Sequence, residues 1–155
     1  MSNAEDATLI LAAVPQRYPF LMVDRIVSHE FGKKAVCRKN VTNGEEILAG
    51  HFPGNPIFPG VLMVELSLQT TQVMLTDLQS LKNKIKDTQA PQGYLVSIDK
   101  FKFLKVIRPG DILEATSEFD MDAMGMTRAK VKITTDAGED VAHGIVTVSS
   151  PTTPA

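Results

Sequence analysis

The sequence predicts an α+β domain in which one antiparallel β-sheet wraps around one long buried helix. Three observations carry this prediction. Several segments show apolar residues at a period of two, separated by Gly-containing turns. One long stretch without Gly or Pro is apolar around most of its circumference. The links between the late period-two segments are too short for the crossovers that parallel strands need. The 155 residues, 43% hydrophobic and 22% charged, fit one domain. We place it at residues 9–149, with a polar, flexible N-terminus over 1–8 and a disordered tail over 150–155 that contains Pro151 and Pro154.

Phe20 to His29 and Lys33 to Val41 read as a hairpin about Gly32. Of 10 Gly and 9 Pro, six (Gly50, Pro53, Gly54, Pro56, Pro59 and Gly60) fall between positions 50 and 60. Such a stretch is an irregular loop whose path is set by locked proline dihedrals. Val61 to Leu81 follows as a helix of about six turns. Glu65, Gln69, Gln72 and Thr76 recur along it at spacings of four, three and four, which places a narrow polar stripe on an otherwise apolar rod. Tyr94 to Ile107 reads as a long bent strand. Asp111 to Phe119, Thr127 to Thr135 and Val141 to Ser149 follow, with turns at Pro109-Gly110, Met124-Gly125 and Ala137-Gly138. The third of these four alternates plainly, with Ala129, Val131 and Ile133 facing away from Arg128, Lys130 and Lys132.

Composition excludes some function classes. A net charge of -2 lacks the basic excess of a nucleic-acid binder. One cysteine, Cys37, and three scattered histidines form neither a disulfide framework nor a zinc motif. No apolar run approaches the ~20 residues of a membrane span. These features predict a soluble, cytoplasmic protein that acts on small molecules or proteins and needs no metal or other cofactor.

The rigid loop and the helix after it carry the candidate chemistry. His51 lies in Gly50-His51-Phe52-Pro53-Gly54-Asn55-Pro56, and an imidazole held rigidly is a natural general base near neutral pH; a bland loop histidine is the alternative. Glu65 sits on an apolar helix, where lost hydration raises a carboxyl pKa and makes it a proton donor; a structural Glu bonded to Gln69 is its alternative. The first N–H groups of the helix, at Gly60 and Val61, have no intrahelical acceptor and lie at its positive end, a setting that stabilises an oxyanion. Acid, base and oxyanion donor together suit removal of a proton beside a carbonyl and protonation of a leaving hydroxyl.

The segment Gly50-His51-Phe52-Pro53-Gly54-Asn55-Pro56-Ile57-Phe58-Pro59-Gly60-Val61-Leu62-Met63-Val64-Glu65 closely resembles the active-site segment of FabZ-type (3R)-hydroxyacyl-acyl-carrier-protein dehydratases. Arg17-Tyr18-Pro19-Phe20-Leu21-Met22-Val23-Asp24-Arg25, Lys39-Asn40-Val41-Thr42 and Ile107-Arg108-Pro109-Gly110-Asp111 support the match, which spans about residues 9 to 149. The resemblance implies a hot-dog fold, a homodimer with joined sheets or a trimer of such dimers, and dehydration of a carrier-bound 3-hydroxyacyl thioester to the trans-2-enoyl product in fatty-acid synthesis. By position it makes His51 the base and Glu65 the acid, gives Gly60 the N–H that meets the thioester carbonyl, and gives Gln69 the task of orienting Glu65. It also implies that the His and the Glu meet across the dimer interface.

Three departures from the family stand out. Leu66-Ser67-Leu68 fills a turn that the family builds from small residues, Gln16 stands where a His commonly precedes Arg-Tyr-Pro-Phe, and Leu104-Lys105-Val106-Ile107 replaces a more basic segment. Acyl carrier proteins are acidic, so Lys100, Lys102, Lys105 and Arg108 are candidates for docking one; an ordinary solvated strand face is the alternative. Two other functions compete with the dehydratase of fatty-acid synthesis: a hot-dog acyl thioesterase in which Glu65 directs water, and a non-catalytic acyl-binding subunit. A specialised polyene or polyketide dehydratase shares the same catalytic residues.

Overall fold

A computed structural model describes residues 3–82 and 92–149. Helix α1 (Asn3–Ala13) leads into strands β1 (Arg25–Glu30) and β2 (Lys34–Asn40), then the short helix α2 (Glu46–Gly50). Helix α3 (Gly60–Met74) and the single-turn α4 (Leu78–Lys82) come next, followed by β3 (Leu95–Phe103), β4 (Ile112–Ala123), β5 (Met126–Thr135) and β6 (Asp140–Ser149). The six strands form one sheet in the order β1-β2-β4-β5-β6-β3, and every neighbouring pair is antiparallel. Helix α3 packs across β2, β4 and β5.

The α+β layout is the one the periodicities predict, and the turns explain its register. Gly32, Gly110, Gly125 and Gly138 all have positive φ, the backbone region in which glycine carries no steric penalty. At the β4–β5 turn Met124 (φ 55) and Gly125 (φ 74) are both left-handed, as a tight two-residue hairpin requires. Ala129, Val131 and Ile133 of β5 are buried together with Leu113 and Ala115 of β4, so the core-facing stripe of the sheet meets α3 through Met63, Leu66 and Met74.

Besides α2, which the sequence reading lacks, and β1, which starts at Arg25 and not at Phe20, three elements differ from that reading. Helix α1 covers residues 3–8, which the composition assigns to a flexible end. Its later residues Leu9, Ile10 and Ala13, with Val14 just beyond, are buried in the core, so long-range packing holds a helix that local pattern does not announce. The expected helix over 61–81 is two helices. Asp77 divides them, because its Oδ1 accepts from the N–H groups of Gln79 and Ser80, each at 3.1 Å, and so starts α4 as an N-cap. The last carbonyl of α3, on Met74, accepts from Gly32 N–H at 2.8 Å, which ties the helix end to the first hairpin. Strand β3 is shorter than 94–107 and irregular between Asp99 and Lys102, where Lys100 has φ 53. The expected tail over 150–155 lies outside the described residues.

Candidate active site

Loop 50–60 is held at both ends and in its middle. Phe52 and Asn55 exchange main-chain hydrogen bonds at 3.1 and 2.9 Å across Gly54 (φ 73). The Arg108 guanidinium donates to Asn55 Oδ1 at 2.8 Å and to Pro56 O at 3.3 Å, and Phe58 N–H donates to Ile107 O at 2.8 Å. His51, half-buried, closes α2. Its carbonyl accepts from Ile57 N–H at 2.9 Å, and its Nδ1 lies 3.0 Å from Ile57 O. A carbonyl can only accept, so the proton is on Nδ1 and the Nε2 lone pair is left for other chemistry. The ring also stacks on Phe52, with centroids 4.3 Å apart.

Nine residues on, at Gly60, the chain enters α3. Pro59 is its N-cap and offers no side-chain acceptor, while Pro59 O already takes the N–H groups of Leu62 and Met63 at 3.0 and 3.3 Å. The N–H groups of Gly60 and Val61 therefore have no acceptor within the helix and lie at its positive end. A Cβ at position 60 would stand 3.1 to 3.3 Å from three ring atoms of Phe103. Any larger residue at position 60 would require that ring to shift by a few tenths of an ångström.

Glu65, one and a half turns into α3, is half-buried. Loss of hydration pushes its pKa up, and hydrogen bonds from Gln69 and Gln16 draw it partly back. Gln69, 1% exposed, uses every polar group it has. Its Oε1 accepts from Met22 N–H at 2.8 Å and Val23 N–H at 3.4 Å. Its Nε2 donates to Phe20 O at 2.8 Å and to Glu65 Oε1 at 2.7 Å. Gln16 Nε2 donates to the same Glu65 oxygen at 3.1 Å. The polar stripe on a buried helix thus has a physical reason: Gln69 satisfies the main chain of residues 20–23 and orients the carboxyl with what remains.

Within one chain the structure brings Glu65, Gln69 and Gln16 together and sets Gly60 at the head of the same helix. It does not join His51 to them: among the described residues no hydrogen bond links His51 to Glu65, and the small cavity that Glu65 lines does not include His51. Sequence reasoning missed two contacts. Gln16 reaches a carboxyl 49 positions away, and Arg108, grouped by the sequence with a docking strip, instead fastens loop 50–60. No local pattern signals either contact. Of the other basic candidates, Lys105 is ion-paired with Glu139. Lys100 and Lys102 have no acidic partner among the described residues, and with Phe101, Lys130 and His143 they line a shallow hollow of about 600 Å³. Lys130 is itself paired with Asp120 at 2.8 Å.

Residues 14–144 match the model of the FabA-like domain. The chain is 45% identical over 117 residues to the 3-hydroxyacyl-[acyl-carrier-protein] dehydratase FabZ of Caldanaerobacter subterraneus subsp. tengcongensis, covering 76% of this chain and 78% of that protein. It is 44% identical over 131 residues to the enzyme of the same name from Acetivibrio thermocellus, covering 84% of each. Among solved structures it is similar to a chain of the dehydratase heterocomplex ApeI:P from Xenorhabdus doucetiae, with a TM-score of 0.74 at 14% identity over 92% of this chain and 91% of that one. The E. coli PaaI protein of the phenylacetic acid degradation operon aligns with a TM-score of 0.57 at 17% identity, covering 80% of each chain. At these identities the structural likeness is one of fold, and the fold is the hot-dog.

Proposed function

The chain belongs to the FabA-like family, among the FabZ 3-hydroxyacyl-acyl-carrier-protein dehydratases, and on that premise we propose that it dehydrates the (3R)-3-hydroxyacyl thioester of an acyl carrier protein to the trans-2-enoyl thioester in fatty-acid biosynthesis. The reaction needs no nucleophile. His51 Nε2 takes a proton from C2, and the Glu65 carboxyl protonates the hydroxyl leaving C3. The Gly60 N–H receives the charge that builds on the thioester oxygen, and Gln69 holds Glu65 in place. The observation that carries this reading is a desolvated carboxyl, its pKa pushed up by burial, in a chain that also holds, apart from it, an imidazole whose Nδ1 is committed to Ile57 O. One group is poised to give a proton and the other to take one. Because Glu65 works as an acid, activity is expected to fall as pH rises through its raised pKa.

The separation of the two groups within one chain supports an assembly in which they meet across an interface. Strand β3 ends the sheet, and Leu95, Val96 and Ile98 on it are 45%, 51% and 46% exposed. An open strand edge of this kind is a template for pairing with a second copy, so a homodimer joined at β3, alone or within a trimer of dimers, is the working unit. The basic hollow on Lys100 and Lys102 suits the acidic carrier protein. Cys37 is buried, its thiol pushed up to about 12, and a lone inert thiol suits a reducing cytoplasm.

The test is a two-signal assay on a carrier-bound 3-hydroxyacyl thioester: enoyl absorbance reads dehydration, and free thiol reads hydrolysis. Enoyl product without thiol is expected. His51→Ala and Glu65→Gln should each lower kcat by about 10²- to 10⁴-fold while leaving the fold intact. Thiol release in place of enoyl product would make the protein a thioesterase, and neither signal would leave an acyl-binding subunit.

A further inference from the structure

The main chain dictates how the amides around Glu65 are turned. Gln69 Oε1 accepts from the N–H groups of Met22 and Val23, which can only donate, so Gln69 Nε2 is the atom that faces Phe20 O and Glu65 Oε1. Glu65 Oε1 is thereby an acceptor. Gln16, 3.1 Å from the same oxygen, must present its own Nε2 there. Both lone pairs of Oε1 are then occupied, and an acid proton on Glu65 belongs on Oε2.

This orientation leaves a residue. Gln16 Oε1 is shielded from solvent and has no hydrogen-bond partner among the described residues, whereas folded proteins pair nearly all such oxygens. Gln16 and Glu65 also line the same cavity of about 120 Å³, whose other walls include Leu68, Gln72 and Leu95. An acceptor without a donor, on a side chain that holds an acid and lines a space of a few heavy atoms, suits a ligand that brings an O–H group and is itself protonated there.

We propose that Gln16 Oε1 binds the hydroxyl hydrogen of the 3-hydroxyacyl group and so turns a lone pair of that hydroxyl toward Glu65. The inference rests on the dehydration proposed above. In the step, the Glu65 proton moves to the hydroxyl oxygen, and the C3–O bond breaks with its electron pair going to that oxygen. His51 takes the C2 proton, and the freed pair closes the C2=C3 bond. The departing oxygen is a water molecule whose original hydrogen still points at Gln16. The amide therefore acts at both ends, its N–H fixing the acid and its carbonyl fixing the leaving group. A purely structural role, tying residues 14–17 to α3, would be indifferent to the hydroxyl.

The experiment compares Gln16→Met, which keeps the shape and removes both polar ends, with Gln16→His, whose neutral ring keeps one donor and one acceptor. Three quantities are read: kcat/KM for the 3-hydroxyacyl thioester, Ki for the saturated acyl thioester of equal length, and the titration of the Glu65 carboxyl followed by ¹³C NMR. For Gln16→Met we expect kcat/KM to fall about tenfold, the worth of one hydrogen bond, with Ki unchanged within about twofold. The Glu65 titration should move to higher pH, because a donor that lowers it is gone. Gln16→His should restore all three. Equal losses in kcat/KM and in affinity for the saturated thioester, or no loss in either, would overturn the proposal. If Gln16→Met does not fold, Gln16→Ala is read by the same criteria: a tenfold loss of kcat/KM at unchanged Ki upholds the role, and equal losses or no loss reject it. Absence of turnover by the native protein would refute the dehydratase reading, while the NMR titration tests the Gln16 contact without any turnover.

Discussion

Gln69→Met tests the support of the acid more sharply than substitution of the acid itself. The replacement is close in shape but leaves Met22 N–H and Phe20 O without the partners they hold at 2.8 Å, and Val23 N–H without its longer contact at 3.4 Å. The site is buried, with Gln69 1% exposed, so water does not readily replace the amide. Two well-made hydrogen bonds lost at about 1–3 kcal/mol each, with the longer contact adding little, sum to a loss of roughly 2–6 kcal/mol. That is a large part of the ~5–15 kcal/mol of a typical domain. With a urea m value of about 2 kcal/mol/M, the midpoint should drop by roughly 1–3 M at fixed protein concentration, with m unchanged. The variant should also lose kcat, because Glu65 keeps only the Gln16 tether at 3.1 Å. A midpoint shift below about 0.5 M, with kcat near native, would refute the claim that this amide couples residues 20–23 to the acid.

Two further predictions follow from the arrangement of the chain. Co-assembly of His51→Ala with Glu65→Gln protomers should recover about one quarter of native activity, since random mixing makes half of the dimers mixed and each holds one intact site of two. Activity no greater than that of the separate variants would mean that each site is built within one chain. Charge reversal at Lys102, which has no acidic partner among the described residues, should raise KM for the carrier-linked substrate well above any change for a small thioester analogue, and more than reversal at Lys105, already paired with Glu139. Equal effects on both substrates would remove the docking surface from this face.

What was legible in the sequence was what depends on neighbours along the chain. The alternation in β5 and the glycines at positions 32, 125 and 138 gave the hairpins, because strand period and positive φ are local constraints. The rigid loop and its histidine were legible for the same reason. The break between α3 and α4 had a readable signal in Asp77, three residues before Ser80, that the absence of Gly and Pro concealed. Helix α1 had none: its burial is set by elements far away in sequence, including α4 and β1. The tautomer of His51 and the link from Gln16 to Glu65 were equally out of reach, since each depends on a partner placed by tertiary structure.

On the proposed mechanism, the contrast between Glu65 and His51 explains why an acid needs more scaffolding than a base. A neutral imidazole costs little to hold half-buried, and one carbonyl, Ile57 O, suffices to choose its tautomer. A carboxyl in the same protein must stay protonated often enough to act, yet release its proton in every turnover. Burial alone would drive its pKa up without limit to its use as a donor, and solvation alone would leave it ionised. Two neutral amides on one oxygen strike the balance, since they favour the carboxylate without adding a charge that would hold it permanently ionised. A lysine or arginine at position 16 would lower the acid's pKa through a full positive charge and remove it as a proton donor near neutral pH. On the proposed chemistry it matters that the described residues lining the cavity beside Glu65 are uncharged, and that one amide, Gln69, is anchored on main-chain groups while the carbonyl of the other, Gln16, has no partner among the described residues.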